Sequence, residues 1–151
     1  MGINTRVFVP SESATHLLHR AGQIAEVLFT SAIGDLGITA RQFVVLSVVA
    51  TLEDPSQTDL CDRSGIDRST LADIVRRLVA RGLLTRKRTR QDARMYAVKL
   101  TAQGREVLDR ALPIAQQVDQ QILSVFSAPH RRDFEMLLRK LIESSVAKQA
   151  M

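Results

Sequence analysis

The sequence predicts a mainly α-helical chain of six helices with one small β-hairpin. Three observations predict it. Apolar residues recur at spacings of three and four over most of the chain. That period gives way to short strand-like runs only at Leu83 to Arg88 and Met95 to Leu100, on either side of the polar stretch Thr89-Arg90-Gln91-Asp92-Ala93. Aromatic residues make up only 4% of the 151, so the core has to be built from Leu, Ile, Val and Ala, a set that favours helices packed on helices.

Residues Met1 to Pro10 read as a short arm, partly apolar at Ile3, Val7, Phe8 and Val9. The first helix follows Pro10. Ala14, Leu17, Leu18, Ala21, Ile24, Ala25, Leu28 and Phe29 share one face, and Gly34 and Gly37 end it. Thr39 and Gln42 form a capping box for the second helix, in which each satisfies a backbone N–H of the other; it stops near Asp54-Pro55. Ser56 caps a short third helix, Gln57 to Ser64, with Asp59 at its third position and Gly65 as its left-handed end. Asp67 caps a fourth, Arg68 to Arg81, closed by Gly82. Then comes the hairpin. Thr101 caps a long fifth helix with apolar positions from Val107 to Phe126 and a proline, Pro113, expected to kink it. Ser127-Ala128-Pro129 restarts the chain into a sixth helix bearing Phe134, Leu137, Leu138 and Leu141.

The middle of this order is a helix-turn-helix followed by a β-wing. Ser64-Gly65-Ile66 is the short turn that lets the second helix of such a pair lie in a DNA major groove. On that helix Leu71, Ile74, Val75 and Leu78 share the core face. Ser69, Asp73 and Arg76 point the opposite way, flanked by Thr70 and Arg77. These residue types donate to or accept from base edges, and Arg grips guanine with two bonds. Arg68, Ser69 and Thr70 stand in the first turn, where free N–H groups and the helix dipole favour a phosphate. The hairpin adds Arg86, Lys87, Arg88, Arg90 and Arg94, with Asp92 at its tip.

Charge placement agrees. Net charge is +5, yet Arg68 to Lys99 holds ten Lys and Arg against two acids, Asp73 and Asp92. That stretch is +8 and the remainder −3, the footprint of a polyanion partner. No apolar run is long enough to cross a bilayer, no export signal is expected, and one cysteine, Cys61, allows no intrachain disulfide. A cytoplasmic address is the expectation. No Gly-rich phosphate loop, nucleophile elbow or clustered His-Asp-Ser set is present, so no enzyme activity and no cofactor are expected.

The run from Asp67 to Leu84 resembles the recognition-helix segment of MarR-type regulators. Asp92-Ala93-Arg94 followed by Val98-Lys99-Leu100-Thr101-Ala102-Gln103-Gly104 resembles their wing signature, an Asp-x-Arg tip leading to a Leu-Thr helix start. The order of elements matches as well, so the resemblance covers nearly the whole chain. It implies a single MarR-like domain over 1–151 and an interlocked homodimer. Dimerisation helices would lie at about 1–36 and 101–151, and a winged helix-turn-helix DNA-binding lobe at about 37–100. It implies a transcriptional regulator, a repressor, on a near-palindromic double-stranded operator, with Arg94 entering the minor groove and Asp92 holding its side chain. Ala93 stands where the family carries a second Arg. Independently, the apolar faces of the first, fifth and sixth helices exceed what one thin chain covers, which also points to a dimer.

Regulators of this kind respond to a signal. The family's common pocket would be walled here by the first, second and fifth helices, where His16, His19, Arg20, Gln23, Phe29, Arg41 and Phe43 fall. His and Arg together suit a carboxylate or phenolate, so a small anionic or aromatic effector is expected, an aromatic acid or its CoA thioester. Cys61 reads as a small apolar filler rather than a redox sensor. Glu12, His16 and His19 lie near one face but make no metal site. Two other readings compete: a winged helix that binds protein, and an architectural or RNA-binding protein. A protein adaptor has no use for Arg76, Arg77 and Arg94 on one surface, and an RNA binder would offer more aromatics than Tyr96 for stacking.

Overall fold

The chain is described by a computed structural model that covers residues 9–88 and 96–149, with side chains to 145. Arg90, Asp92 and Arg94 lie outside the described residues, as do Met1 to Phe8 and Met95.

Among the described residues there are six α-helices and one two-stranded hairpin: α1 Ala14–Ile33, α2 Ala40–Thr51, α3 Gln57–Ser64, α4 Arg68–Ala80, β1 Leu84–Arg88, β2 Tyr96–Leu100, α5 Ala102–Leu123 and α6 Ala128–Gln149. A 3-10 turn, Pro10–Glu12, precedes α1, and another, Gly34–Leu36, follows it. The chain divides into two compact units, Met1–Ala115 and Gln116–Met151.

Local chemistry accounts for most boundaries. Both capping boxes form in full, Thr39 with Gln42 and Ser56 with Asp59. Gly65 takes the left-handed conformation, φ 69°, that turns the chain from α3 towards α4 and that a side chain adopts only at a cost. The fourth helix ends at Ala80, one residue before the sequence limit, because Arg81 becomes its cap. There Leu83 N–H donates to the Leu78 carbonyl and Gly82 N–H to that of Val79, the paired bonds of a Schellman ending. Leu78 and Leu83 are both fully buried beside it.

The first unit builds its core around α4. Leu71, Ile74, Val75 and Leu78 are buried, as the periodicity requires, together with Val45, Leu46, Leu60, Leu84, Val98 and Leu108. Each such side chain contributes about 1.5–3 kcal/mol by leaving water. Strands β1 and β2 pair antiparallel from Leu84↔Leu100 to Arg88↔Tyr96. Val98 N–H also donates to the Pro55 carbonyl, and Lys99 forms an ion pair with Asp54, so the root of the hairpin is tied to the α2–α3 loop.

A second tie joins the hairpin root to α5. Thr101 N–H donates to the Leu83 carbonyl, and its hydroxyl donates to the Gly82 carbonyl at 2.6 Å while accepting from Gly104 N–H at 2.9 Å. Gly104 is pressed against the same Leu83 carbonyl. Helix α5 runs through Pro113, which lies on its exposed side.

One expectation changes. Phe126 lies beyond the end of α5 rather than on its apolar face, and stacks on Phe134 with ring centroids 5.0 Å apart. Periodicity gave it a helical position; the helix ends at Leu123. The apolar face of α1 is only partly buried within the chain, in keeping with a face that exceeds what one chain covers. Phe29 and Ile33 are covered, but Ile24 is 54% and Val27 64% exposed, with Leu17 and Leu18 exposed as well. Periodicity locates a face and does not say what covers it. The second unit is similarly uncovered: Leu137 is 59% and Ile142 62% exposed, alongside Val125, Met136 and Leu141. No single helix among the described residues is long and apolar enough to cross a membrane.

Candidate nucleic-acid interface

Helix α4 is sharply two-faced. Its core face is closed, whereas Arg68, Ser69, Arg76 and Arg77 are exposed and Thr70 and Asp73 half-buried. The burial of one side fixes the rotation of the helix and so presents the other side as a unit. Asp73 is not free on that surface. Its Oδ1 pairs with Arg76 Nη2, and its Oδ2 accepts from Arg77 Nε at 2.7 Å. Arg76 first, and Arg77 with it, hold the Asp73 carboxyl below the usual range, so it stays ionised.

The start of α4 is also committed. Asp67 Oδ1 accepts from Thr70 N–H at 2.9 Å and from the Ser69 hydroxyl at 2.8 Å. These bonds, Thr70's first, bring the Asp67 carboxyl from 3.8 down to about 2. The Ser69 hydroxyl is therefore left as an acceptor towards solvent. A depressed folded-state pKa means stability that is complete above the unfolded value and lost as pH falls towards the folded one. Asp67→Asn should melt below the wild type at pH 6, and the gap should shrink below pH 3.8 and vanish near pH 2. A gap independent of pH, followed by thermal melts across that range, would show that the charge is not what caps the helix.

On the hairpin Arg86, Lys87 and Arg88 are exposed. Alternation along β1 puts Leu84, Arg86 and Arg88 on one side. Arg86 borders a cleft of about 230 Å³ with Ser56, Gln57, Thr58, Tyr96 and Val98, beside the first turn of α3. The Arg88 guanidinium carbon lies 6.0 Å from the centroid of the Tyr96 ring, at the outer edge of cation–π distance. Arg81, not singled out from the sequence, reaches back to the turn after α1, donating to the Gly37 carbonyl at 2.6 Å and that of Leu36 at 3.4 Å.

The residues expected near an effector separate into three groups. His19, Gln23 and Arg41 line an open cleft of about 680 Å³ between α1 and the start of α2, joined by Leu18, Gly22, Glu26 and Thr39. Phe29 is buried in the core, with its ring 5.5 Å from that of half-buried Phe43. His16 and Arg20 stand on α1 outside that cleft's lining. Leu18, Gly22 and Glu26 fall at steps of four, a spacing in the sequence that places them on one stripe of α1. Cys61 is half-buried. Among the described residues no three His, Cys, Asp or Glu side chains converge as a metal site.

The MarR family model matches residues 36–95, which hold α2 to α4 and β1. The transcriptional repressor NicR of Pseudomonas putida is 33% identical over 134 residues, 89% of this chain and 85% of NicR. The chain belongs to the MarR family. MarR-family structures superpose on it closely. BpsR of Bordetella bronchiseptica, whose DNA binding is regulated by 6-hydroxynicotinic acid, is 33% identical with a TM-score of 0.85, over 89% of this chain and 96% of BpsR. A mutant of MarR from Escherichia coli in complex with operator DNA is 26% identical with a TM-score of 0.79, over 84% of this chain and 91% of that one. The MarR-family assignment makes the fold a winged helix-turn-helix, with α3 and α4 as its helix pair and β1–β2 as its wing.

Proposed function

We propose that this MarR-family chain is a homodimeric, sequence-specific repressor of transcription, released from double-stranded DNA by a small aromatic acid. One observation carries the DNA-binding half. Helix α4 has its apolar side wholly buried and its opposite side armed with Arg68, Arg76 and Arg77, next to the basic strand bearing Arg86 and Arg88. Residues 37–100 form the reading lobe in this account, and the helices at about 1–36 and 101–151 join two chains. The uncovered apolar positions on α1 and α6 support that division. Two such lobes held about 34 Å apart meet successive major grooves, which matches a near-palindromic operator. The wing residues Arg90, Asp92 and Arg94 complete the contact at the minor groove in the same reading. No step of it is catalytic, and it places the protein in the cytoplasm with the DNA.

The effector half rests on the α1–α2 cleft. Its volume suits a small ligand, and Arg41 and His19 offer a cation and a hydrogen-bond donor to a carboxylate. The regulation of BpsR by a hydroxylated pyridine carboxylic acid supports the same class of ligand here. An acid that binds the non-DNA shape better releases the operator by its differential affinity.

Fluorescence anisotropy on the DNA upstream of its own gene, beside a scrambled duplex, tests both halves. Salt-tolerant binding to the first alone is expected, with release by one or more of a panel of aromatic and hydroxynicotinic acids. Arg41→Ala should raise the releasing concentration at least about 10-fold, the worth of one charge-assisted bond. Equal, salt-erased binding to both duplexes would overturn the DNA reading. Specific binding untouched by any acid would overturn the effector reading alone.

A further inference from the structure

Asp73 is the one acid in the sequence of α4, and it stands on the side turned away from the core. A carboxylate there faces the phosphates of any DNA that the helix enters, and like charges repel. Its geometry resolves the conflict. Each oxygen serves one arginine, Arg76 on Oδ1 and Arg77 on Oδ2, so three side chains form a single fork with net charge +1. Because Asp73 accepts from Arg77 Nε, the two terminal nitrogens of that guanidinium remain as its outward donors. Arg76, engaged through one terminal nitrogen, keeps the others.

A phosphate gains less from this fork than from two unpaired arginines. It brings only acceptors and negative charge, and the carboxylate repels it. A G·C base pair offers more. Guanine presents two acceptors, O6 and N7, and the paired cytosine presents an N4–H donor beside them. Two guanidinium edges and one carboxylate oxygen complement that pattern. We propose that Asp73 is a specificity-determining residue, which aims Arg76 and Arg77 at a G·C pair and makes phosphate-only contact by them weaker than two unpaired arginines would make it. The proposal rests on the DNA-binding reading above and assigns the acid a role within it. An ordinary i,i+3 and i,i+4 surface pair would do no more than steady the helix.

The test uses the full-length protein, its footprinted upstream operator, a scrambled duplex, and operators in which each G·C pair beneath the footprint is exchanged for A·T in turn. Asp73→Asn keeps the shape and removes the charge; Asp73→Ala removes both. Anisotropy at several salt concentrations should show both variants binding the scrambled duplex about 3-fold more tightly at low salt, with the salt slope steeper by about one ion. The preference for operator over scrambled DNA should fall about 10-fold, and the penalty for exchanging one particular G·C pair should disappear. A lowered melting temperature with unchanged preference and unchanged exchange penalties would overturn the proposal and reduce Asp73 to a helix-steadying residue. A wild type that does not distinguish operator from scrambled duplex would overturn the DNA-binding reading itself, and this inference with it.

Discussion

Gly104→Ala should leave a protein that melts about 10 °C or more below the wild type, if it accumulates folded at all. A methyl group on Gly104 would stand 1.9 Å from the Leu83 carbonyl oxygen and 2.9 Å from its carbon. Neither is the tip of a movable side chain; both are backbone. Leu83 is held in place by the ending of α4, by Thr101 N–H on the same carbonyl, and by its own buried side chain. Relief must therefore come from lifting the first turn of α5, which breaks the Thr101 bonds at both ends. Overpacking with that loss is expected to cost about 3 kcal/mol or more. Gly22→Ala is the control. It has nothing within 4 Å of the added carbon and lies inside α1, where alanine is favoured over glycine by about 0.5–1 kcal/mol. Thermal melts of the two variants should move in opposite directions. A near-normal Gly104→Ala melt would mean that the α5 start is not seated on Leu83.

The double substitution Leu137→Lys, Leu141→Lys should separate the chains and cost at least about 100-fold in operator affinity. The two positions are one helical turn apart on α6, and both are exposed in the single chain. If a partner chain covers them, each contributes about 1.5–3 kcal/mol to the association, and charged replacements remove that and add repulsion. Operator binding falls further than the dimer contact alone requires, since a second lobe already tethered acts at high effective concentration, worth about 10²- to 10⁴-fold. Analytical ultracentrifugation should give the monomer mass while far-UV circular dichroism keeps its helical signal. A variant that stays dimeric would remove α6 from the interface. A monomer with undiminished operator affinity would remove the need for two lobes.

What could be read from the sequence was what depends on near neighbours. The capping pairs Thr39–Gln42 and Ser56–Asp59 span three residues, and both form as written. The buried side of α4 follows from its period alone, because one full turn of apolar spacing has only one way to face a core. Contacts that close long loops were not legible. Arg81 finds the Gly37 carbonyl 44 residues away, and Lys99 finds Asp54 only because β2 docks on the α2–α3 loop. The pairing of Asp73 was not legible either, since its spacing from Arg76 and Arg77 permits pairing without requiring it. Phe29 and Phe43 were legible as neighbours of a candidate cleft, but an aromatic pair at a junction serves a core as readily as a ligand, and here the rings pack on each other. Glycine at 104 stood inside the wing signature with no local reason for being there; the reason is a carbonyl 21 residues earlier.

The short splice from α4 into β1 bears on how such a regulator changes its target over generations. Only Arg81, Gly82 and Leu83 separate the helix from the strand, and each is already committed, to the turn after α1, to the left-handed ending and to the core. An insertion or deletion there would swing the wing relative to the helix and misalign both readers at once. The frame is therefore costly to change. Exchanging outward side chains on α4 and the hairpin changes the target at less cost than altering the angle between the two.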